Sequence, residues 1–142
     1  MKNLKQKSLS VVIAAAAAGM LALTGSAYAE KVTLSGGQEV PPVQSSGSAT
    51  GDVNVAADGS VTGSIKVTGF TPTAAHIHQG ASNAYGPVIV PMTKQGDDTF
   101  VFPAGAKMTP EQLAAYKAGN TFINVHSAAH KDGEVRAQLT GK

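Results

Sequence analysis

The four histidines of the sequence fall into two short groups, and this grouping is the feature best suited to chemistry. The first group is His76-Ile77-His78, and the second is His126 with His130. Residues i and i+2 of an extended strand point to the same face, so His76 and His78 would present both imidazoles together. Imidazole nitrogens are ligands for copper and zinc. The sequence therefore predicts a metal-binding face.

His126 can join the first pair only if the strand that carries it alternates compatibly. In the predicted strand 121–126, the apolar Ile123 and Val125 share one face. Asn124 and His126 therefore lie on the opposite face. If this strand is a neighbour of the His-x-His strand, three imidazoles meet on one polar face. Three His ligands suit copper or zinc and can leave a coordination position open for water or substrate.

The role of His130 is open, because it lies four residues beyond His126 in a predicted polar turn. It is a candidate fourth ligand, a hydrogen-bonding partner of a ligand, or a solvated side chain. The chain has no cysteine, so a transition-metal site must use His, Met, carboxylate or backbone ligands. We predict a metal site at His76, His78, His126 and His130, with copper as the metal and zinc as the alternative. Binding should weaken as the imidazoles protonate, at a pKa ordinarily near 6.5.

Five further side chains have both a functional and a plain structural interpretation. Met92 and Met108 are soft enough for Cu(I), although methionine more often fills a core. Glu134 and Arg136 would share the polar face of the last strand. They form either an exposed charge pair that adds little, or a site where Arg136 draws an anion towards the metal. Tyr85 either lines the site or packs in the core or on the surface.

The N-terminal segment has the pattern of an export signal. Lysines within the first seven residues precede an alanine-rich apolar run at 9–23, and Ala27-Tyr28-Ala29 supplies a cleavage signal. The apolar run is shorter than the roughly 20 residues that a membrane-spanning helix needs. We therefore predict a signal peptide over residues 1–29 and a mature domain over residues 30–142, located in the periplasm or secreted, with no membrane contact after cleavage.

The charge of the predicted mature domain argues against nucleic acid as a partner. The whole chain has 11 Lys and Arg against 9 Asp and Glu, but three of the lysines and none of the acids lie in the predicted leader. The mature domain therefore has no basic field for nucleic acid or for anionic membrane. It also has no tryptophan and few aromatic residues to stack on bases.

Short strands separated by Gly, Pro and Asp turns predict a β-sandwich or barrel. One segment breaks this pattern. Thr109-Pro110-Glu111 has the N-cap, the first-turn proline and the acid that begin a helix, and Gly119 is placed to end it. We predict one short helix near 110–118, packed by Leu113 and Tyr116.

Three groups of residues resemble, in chain order, the CHRD domain, named after chordin and also found in bacterial secreted proteins. The resemblance covers nearly the whole predicted mature chain. Departures from the usual pattern are Phe122 for Tyr, Ala137 for Gly and His130 for Asn. The matching residues are Leu34-Ser35-Gly36 with Glu39-Val40-Pro41-Pro42-Val43, His76-Ile77-His78-Gln79-Gly80 with Gly86-Pro87-Val88, and Gly119-Asn120 with Asn124-Val125-His126-Ser127 and Gly133-Glu134-Val135-Arg136-Ala137-Gln138-Leu139.

A fainter resemblance concerns the copper site of Cu,Zn superoxide dismutases, in which a His-x-His strand and a later Val-His motif supply the ligands. His76, His78 and His126 are the matching positions. The zinc-site residues, the paired cysteines and the spacing of the catalytic arginine do not match. Together the two resemblances imply a Greek-key β-sandwich, immunoglobulin-like or superoxide-dismutase-like, with one short helix.

These observations lead to the hypothesis of an exported protein that binds, buffers or delivers copper. Two alternatives remain open. One is a copper redox enzyme of the superoxide dismutase type. The other is a structural or protein-interaction module in which the histidines are bystanders and a protein partner carries the function. The sequence gives no indication of oligomeric state.

Overall fold

The computed structural model describes residues 28–142 and confirms an all-β fold with one short helix in this part of the chain. Residues 1–27, most of the predicted signal peptide, lie outside the described residues. The elements are β1 Tyr28–Ser35, a 3-10 turn Gly36–Gln38, β2 Ser48–Val55, β3 Val61–Thr68, β4 Pro72–Gln79, β5 Val88–Pro91, β6 Thr93–Lys94, β7 Thr99–Val101, α1 Pro110–Lys117, β8 Thr121–Ser127 and β9 Val135–Leu139.

The strands of residues 28–142 form one antiparallel sheet in the order β5-β4-β8-β9-β1-β2-β3-β7-β6. The two edge strands, β5 and β6, are consecutive in the chain and separated only by Met92. The peptide N–H of Met92 donates to the carbonyl of Ala75 in β4 at 3.0 Å, and the Lys94 ammonium donates to the Pro72 carbonyl at 3.0 Å. The sheet therefore curls until its edges meet, and its two halves enclose one core.

The connection into β8 gives the sheet its Greek-key topology. After β4, the chain runs through β5, β6 and β7 and then returns through α1 to place β8 beside β4. A strand that comes back to pair with the first member of a meander defines a Greek key. The predicted Greek-key sandwich is thus confirmed, and this return is what brings the two histidine-bearing strands together.

Alternation along each strand builds the core. One face of β4 buries Ala75 and Ile77, and one face of β8 buries Ile123 and Val125. The outer face of β8 is buried too, so every residue of this strand is buried. An antiparallel sheet commonly leaves one face to water. Full burial of β8 therefore means that loops cover the polar face predicted for the histidines.

The helix has the termini that its sequence predicts. The Thr109 hydroxyl accepts from the Gln112 N–H at 3.2 Å, and the Gln112 side chain accepts from the Thr109 N–H at 2.9 Å. This reciprocal capping box satisfies two otherwise unpaired donors. Gly119 follows the last turn with φ +80°, a conformation that glycine adopts without strain. Tyr116 is fully buried and Leu113 packs against the core, as predicted.

The first strand begins inside the predicted cleavage motif. Tyr28 pairs with Val55, and its ring packs edge-on against Tyr116 with centroids 5.6 Å apart. Cleavage after Ala29 would remove the first two residues of β1 while leaving six.

Replacing the cap residue tests how much the helix depends on it. Thr109→Ala should lower the free energy of unfolding by about 0.5–2 kcal/mol, because the N–H of Gln112 loses its acceptor. Denaturant unfolding of the purified protein measures the change. Thr109→Ser keeps the oxygen and is the matched control, so an equal loss in both variants would show that the cap bond is not the cause.

Candidate metal centre

The register between β4 and β8 sets the positions of the histidines. His76 pairs with Asn124, His78 with Phe122 and Ala74 with His126. Since paired residues share a face, both imidazoles of β4 and the imidazole of β8 lie on the outer face, opposite Ile77. The predicted adjacency of the two strands and the predicted alternation are both present.

Three imidazoles meet on this face. His76, His78 and His126 each offer one ring nitrogen, and these nitrogens all lie within 4.8 Å of one another. The ring centroids are 4.9 Å apart for His76 and His126, 5.5 Å for His76 and His78, and 5.8 Å for His78 and His126. Small shifts of the rings would let three nitrogens surround one ion at the roughly 2.0–2.1 Å typical of metal–imidazole bonds.

Backbone carbonyls orient two of the rings. The Nδ1 atom of His78 lies 3.0 Å from the carbonyl oxygen of Gly86, and the Nδ1 atom of His126 lies 2.7 Å from that of Lys131. A carbonyl oxygen only accepts, so each Nδ1 carries the proton and each Nε2 carries a lone pair. Metal-binding histidines commonly have their second nitrogen held in this way.

The Nε2 atom of His78 is the unsatisfied nitrogen of the cluster. It is buried and has no hydrogen-bond partner among the described residues. Leaving a buried polar atom unpaired costs about 1–3 kcal/mol. A metal ion between the three imidazoles would accept this lone pair, so the donor set fits a metal.

His76 is held by its neighbour rather than by the backbone. Its Nδ1 atom lies 3.1 Å from Nε2 of His126. Because the Nδ1 proton of His126 is committed to Lys131, the proton of this contact belongs to His76. His76 must therefore move its proton to its other nitrogen before Nδ1 can bind a metal.

Burial keeps the imidazoles of β4 neutral. It lowers the pKa of His76 from 6.5 to about 4, with smaller contributions from His126 and His78. Burial also lowers the pKa of His78. Since only neutral imidazole binds a metal, these two ligands are already uncharged at neutral pH, and His76 stays uncharged well below the ordinary imidazole pKa near 6.5.

Aromatic rings and loops cover the imidazoles. Phe122 stacks flat on His78 with centroids 4.8 Å apart, and the Tyr85 ring stands edge-on to His78 at 5.6 Å. His78 is only 2% exposed and His126 only 8%. The site is therefore covered at His78 and His126, whereas His76 is only partly buried.

Arg136 and Glu134 form neither the exposed charge pair nor the anion-attracting site that the sequence suggested. Arg136 is 1% exposed, its guanidinium lies 3.5 Å from the centre of the Phe122 ring, and it donates to the carbonyls of Ala81 and Ala84. Glu134 is buried and accepts from the Ser45 and Ser127 hydroxyls. The predicted exposed charge pair is absent among the described residues. Arg136 holds a loop instead of presenting itself to an anion.

The structure does not bring His130 into the cluster. Its N–H donates to the Ser127 hydroxyl at 3.1 Å, and its carbonyl accepts from Ser127 and Gly133. Its place as a fourth ligand stays a prediction. Met108 lies in the core and Met92 packs against it, so both follow the structural interpretation.

Two residues that shape the site act through backbone atoms and were not identified from the sequence. They are Gly86 and Lys131, whose carbonyls hold His78 and His126. Side-chain type gives no signal for a carbonyl. The choice of glycine at position 86 does reflect its place in the fold, because a Cβ there would collide with the carbonyl of Gln79. In the sequence, this requirement was visible only as the Gly-Pro pair after the His-x-His motif.

Glu39 is a second buried ionisable group beneath the loops. It is 4% exposed, and its Oε2 atom has no hydrogen-bond partner among the described residues. Burial raises the pKa of Glu39 from 4.5 to about 7, against the lowering effects of Arg136 and Asn124. This carboxyl lines a cavity of about 710 Å³ that also includes Pro41, Pro42 and Tyr85.

Comparison with known proteins identifies the family. The model of the CHRD domain matches residues 31–139, so the chain belongs to the CHRD domain family. No curated protein and no solved structure matches it. The fainter resemblance to superoxide dismutases thus has no support from these comparisons. None of the helical segments between residues 28 and 142 combines the length and apolar character that a bilayer crossing requires.

The raised pKa of Glu39 predicts a pH-dependent effect of Glu39→Gln. The unfolded chain releases this proton near pH 4.5 and the folded protein near pH 7. Wild type therefore loses stability as pH rises through this window, and the glutamine variant does not. The difference in melting temperature, variant minus wild type, should grow from pH 4.5 to pH 8. The histidine titrations are common to both proteins and cancel, so a constant difference would contradict the prediction.

Proposed function

We propose that this CHRD protein binds copper at His76, His78 and His126 and serves to buffer or deliver it. The observation that carries the proposal is the cluster of three imidazoles, each with one ring nitrogen within 4.8 Å of the others, in which Nε2 of His78 is buried without a hydrogen-bond partner among the described residues. Two of the three rings are already locked in the tautomer that a metal needs.

The donor set favours copper over other metals. All three donors are neutral nitrogens, whereas calcium and magnesium require oxygen ligands. Imidazole suits both copper and zinc, and divalent copper binds more tightly than zinc to a given set of ligands. Zinc is therefore the competitor that an experiment must include.

Binding and delivery are favoured over a redox enzyme. The enzymatic alternative drew on Arg136 as a group that attracts an anion to the metal. In the structure this guanidinium donates to Ala81, Ala84 and Gln138. A cation engaged by three acceptors is better suited to hold the cover of the site than to recruit a substrate.

Export supports a role in copper handling outside the cytoplasm. The leader-like residues 1–29 agree with an exported protein, and the CHRD domain is of an extracellular type. A protein placed in the periplasm or beyond meets copper before the cytoplasm does. The remaining domain would then be residues 30–142.

A metal titration of the exported protein, purified without a histidine tag, tests the proposal. Wild type should bind one equivalent of copper. At a hundredfold excess of free copper over the Kd, the ion should stabilise the fold by about 2.7 kcal/mol, or about 10 °C in Tm. His76→Ala and His126→Ala should each remove this stabilisation, because each removes a ligand. Equilibrium dialysis and thermal unfolding with Cu(I), Cu(II) and Zn(II) measure both quantities.

His130→Ala is the matched control for these variants. It removes the imidazole of the loop between β8 and β9, which lies outside the cluster. Unchanged copper affinity in this variant is expected, and a loss would make His130 a ligand. If the triple variant of His76, His78 and His126 bound copper as tightly as wild type, the proposal would be wrong.

A role in protein interaction is a second candidate, favoured by one feature. The cavity beside the histidines is walled by Val40, Pro41 and Pro42, and Tyr85 at its rim is 43% exposed. Aromatic residues such as this exposed tyrosine are enriched where proteins dock. In this case the triple histidine variant would retain its partner and its stability, and added copper would change neither.

A further inference from the structure

Two loops cover the two buried imidazoles of the candidate site, His78 and His126. One is residues 80–87, between β4 and β5, and the other is residues 128–134, between β8 and β9. We term them the cover loops. The first supplies the Gly86 carbonyl that orients His78, and the second supplies the Lys131 carbonyl that orients His126. The position of each imidazole thus depends on a different loop.

Each cover loop is anchored to the sheet at its base. In loop 80–87, Arg136 donates to the carbonyls of Ala81 and Ala84, at 2.9 and 2.8 Å. In loop 128–134, the Glu134 N–H donates to the Val125 carbonyl at 2.7 Å. These anchors tie each loop to the sheet, but they do not join one loop to the other.

The Tyr85 side chain makes that junction. Its hydroxyl donates to the carbonyl of Asp132, so a residue of the first loop is bonded to the backbone of the second, one residue beyond Lys131. Its ring stands edge-on to both His78 and Phe122, with centroids 5.6 and 5.9 Å away. Tyr85 therefore touches a proposed ligand and ties together the two segments that orient the ligands.

We infer that Tyr85 is a positioning residue for the metal centre and the latch of its cover. Its hydroxyl holds the Gly86 and Lys131 carbonyls in a fixed relation, and so keeps Nε2 of His78 and Nε2 of His126 directed at one point. This inference rests on the proposed copper site, whose three ligands do not include Tyr85.

The exposure of Tyr85 suits a latch that opens. The side chain is 43% exposed and lines the cavity of about 710 Å³ outside the cover. Water can replace the Asp132 carbonyl as partner of the hydroxyl, so the bond is easily exchanged. The Asp132 carbonyl also accepts from the Asn124 side chain, but at 3.3 Å, a longer contact that holds the second loop less firmly when Tyr85 swings out. Metal would enter and leave during such openings.

The variant Tyr85→Phe tests the latch, because it removes the hydroxyl and keeps the ring against His78. Tyr116→Phe is the matched control. It makes the same chemical change at a buried hydroxyl with no hydrogen-bond partner among the described residues, in α1. The first measurement uses metal-free, ¹⁵N-labelled protein and follows solvent exchange of the Nδ1 protons of His78 and His126. The second uses copper-loaded protein and follows the rate of copper transfer to a chromogenic chelator.

We expect the Nδ1 protons of both histidines to exchange about tenfold faster in Tyr85→Phe than in wild type or Tyr116→Phe. Copper should also leave about tenfold faster, the lower end of what loss of a ligand's outer partner costs. Tm should change by only a few degrees, which separates positioning from general destabilisation.

Unchanged exchange at both histidines would overturn the latch, as would faster exchange at His78 alone, since the ring contact would then account for it. If wild type bound no copper, the proposed function would fail by itself. The exchange measurement on metal-free protein would still decide whether Tyr85 positions the two rings.

Discussion

The antiparallel pairing of β4 with β8 is the constraint on which the rest of the structure depends. Its register sets His76 opposite Asn124 and His78 opposite Phe122. A slip of one residue would turn every side chain of a strand to the other face. The histidines would then enter the core and Ile77 would leave it. The apolar alternation that builds the core therefore also fixes the composition of the metal centre.

Grouping three imidazoles, two of them buried, has consequences for the residues around them. Their neutral form must be favoured, and burial does this by lowering the pKa of His76 and His78. Their outer nitrogens need acceptors, and the Gly86 and Lys131 carbonyls supply two. The loops that carry these carbonyls need anchors in turn, and Arg136 is one. The candidate ligands thus depend on the loops for their orientation, and the loops depend on the sheet for their anchors.

Local sequence patterns predicted the faces of the strands and the ends of the helix. Period-two alternation placed His76, His78 and His126 on one face, and the Thr109 cap placed the helix within a residue of its observed ends. Contacts between residues distant in the sequence could not be predicted in this way. Nothing in the sequence indicated that Arg136 would be buried against Phe122, because a charged residue on an alternating strand is expected to be exposed. The two carbonyls that orient the imidazoles belong to loops whose path depends on the finished fold.

The short connection through Met92 affects how readily the sheet can pair with strands of other molecules. It carries one stretch of chain from the β5 edge of the sheet to the β6 edge, and these edge strands are only four and two residues long. Long, open edge strands invite pairing with strands of other molecules, the first step towards aggregation. A chain without cysteine has no disulfide to restrain its sheet. Its protection against intermolecular strand addition comes instead from leaving almost no edge to extend.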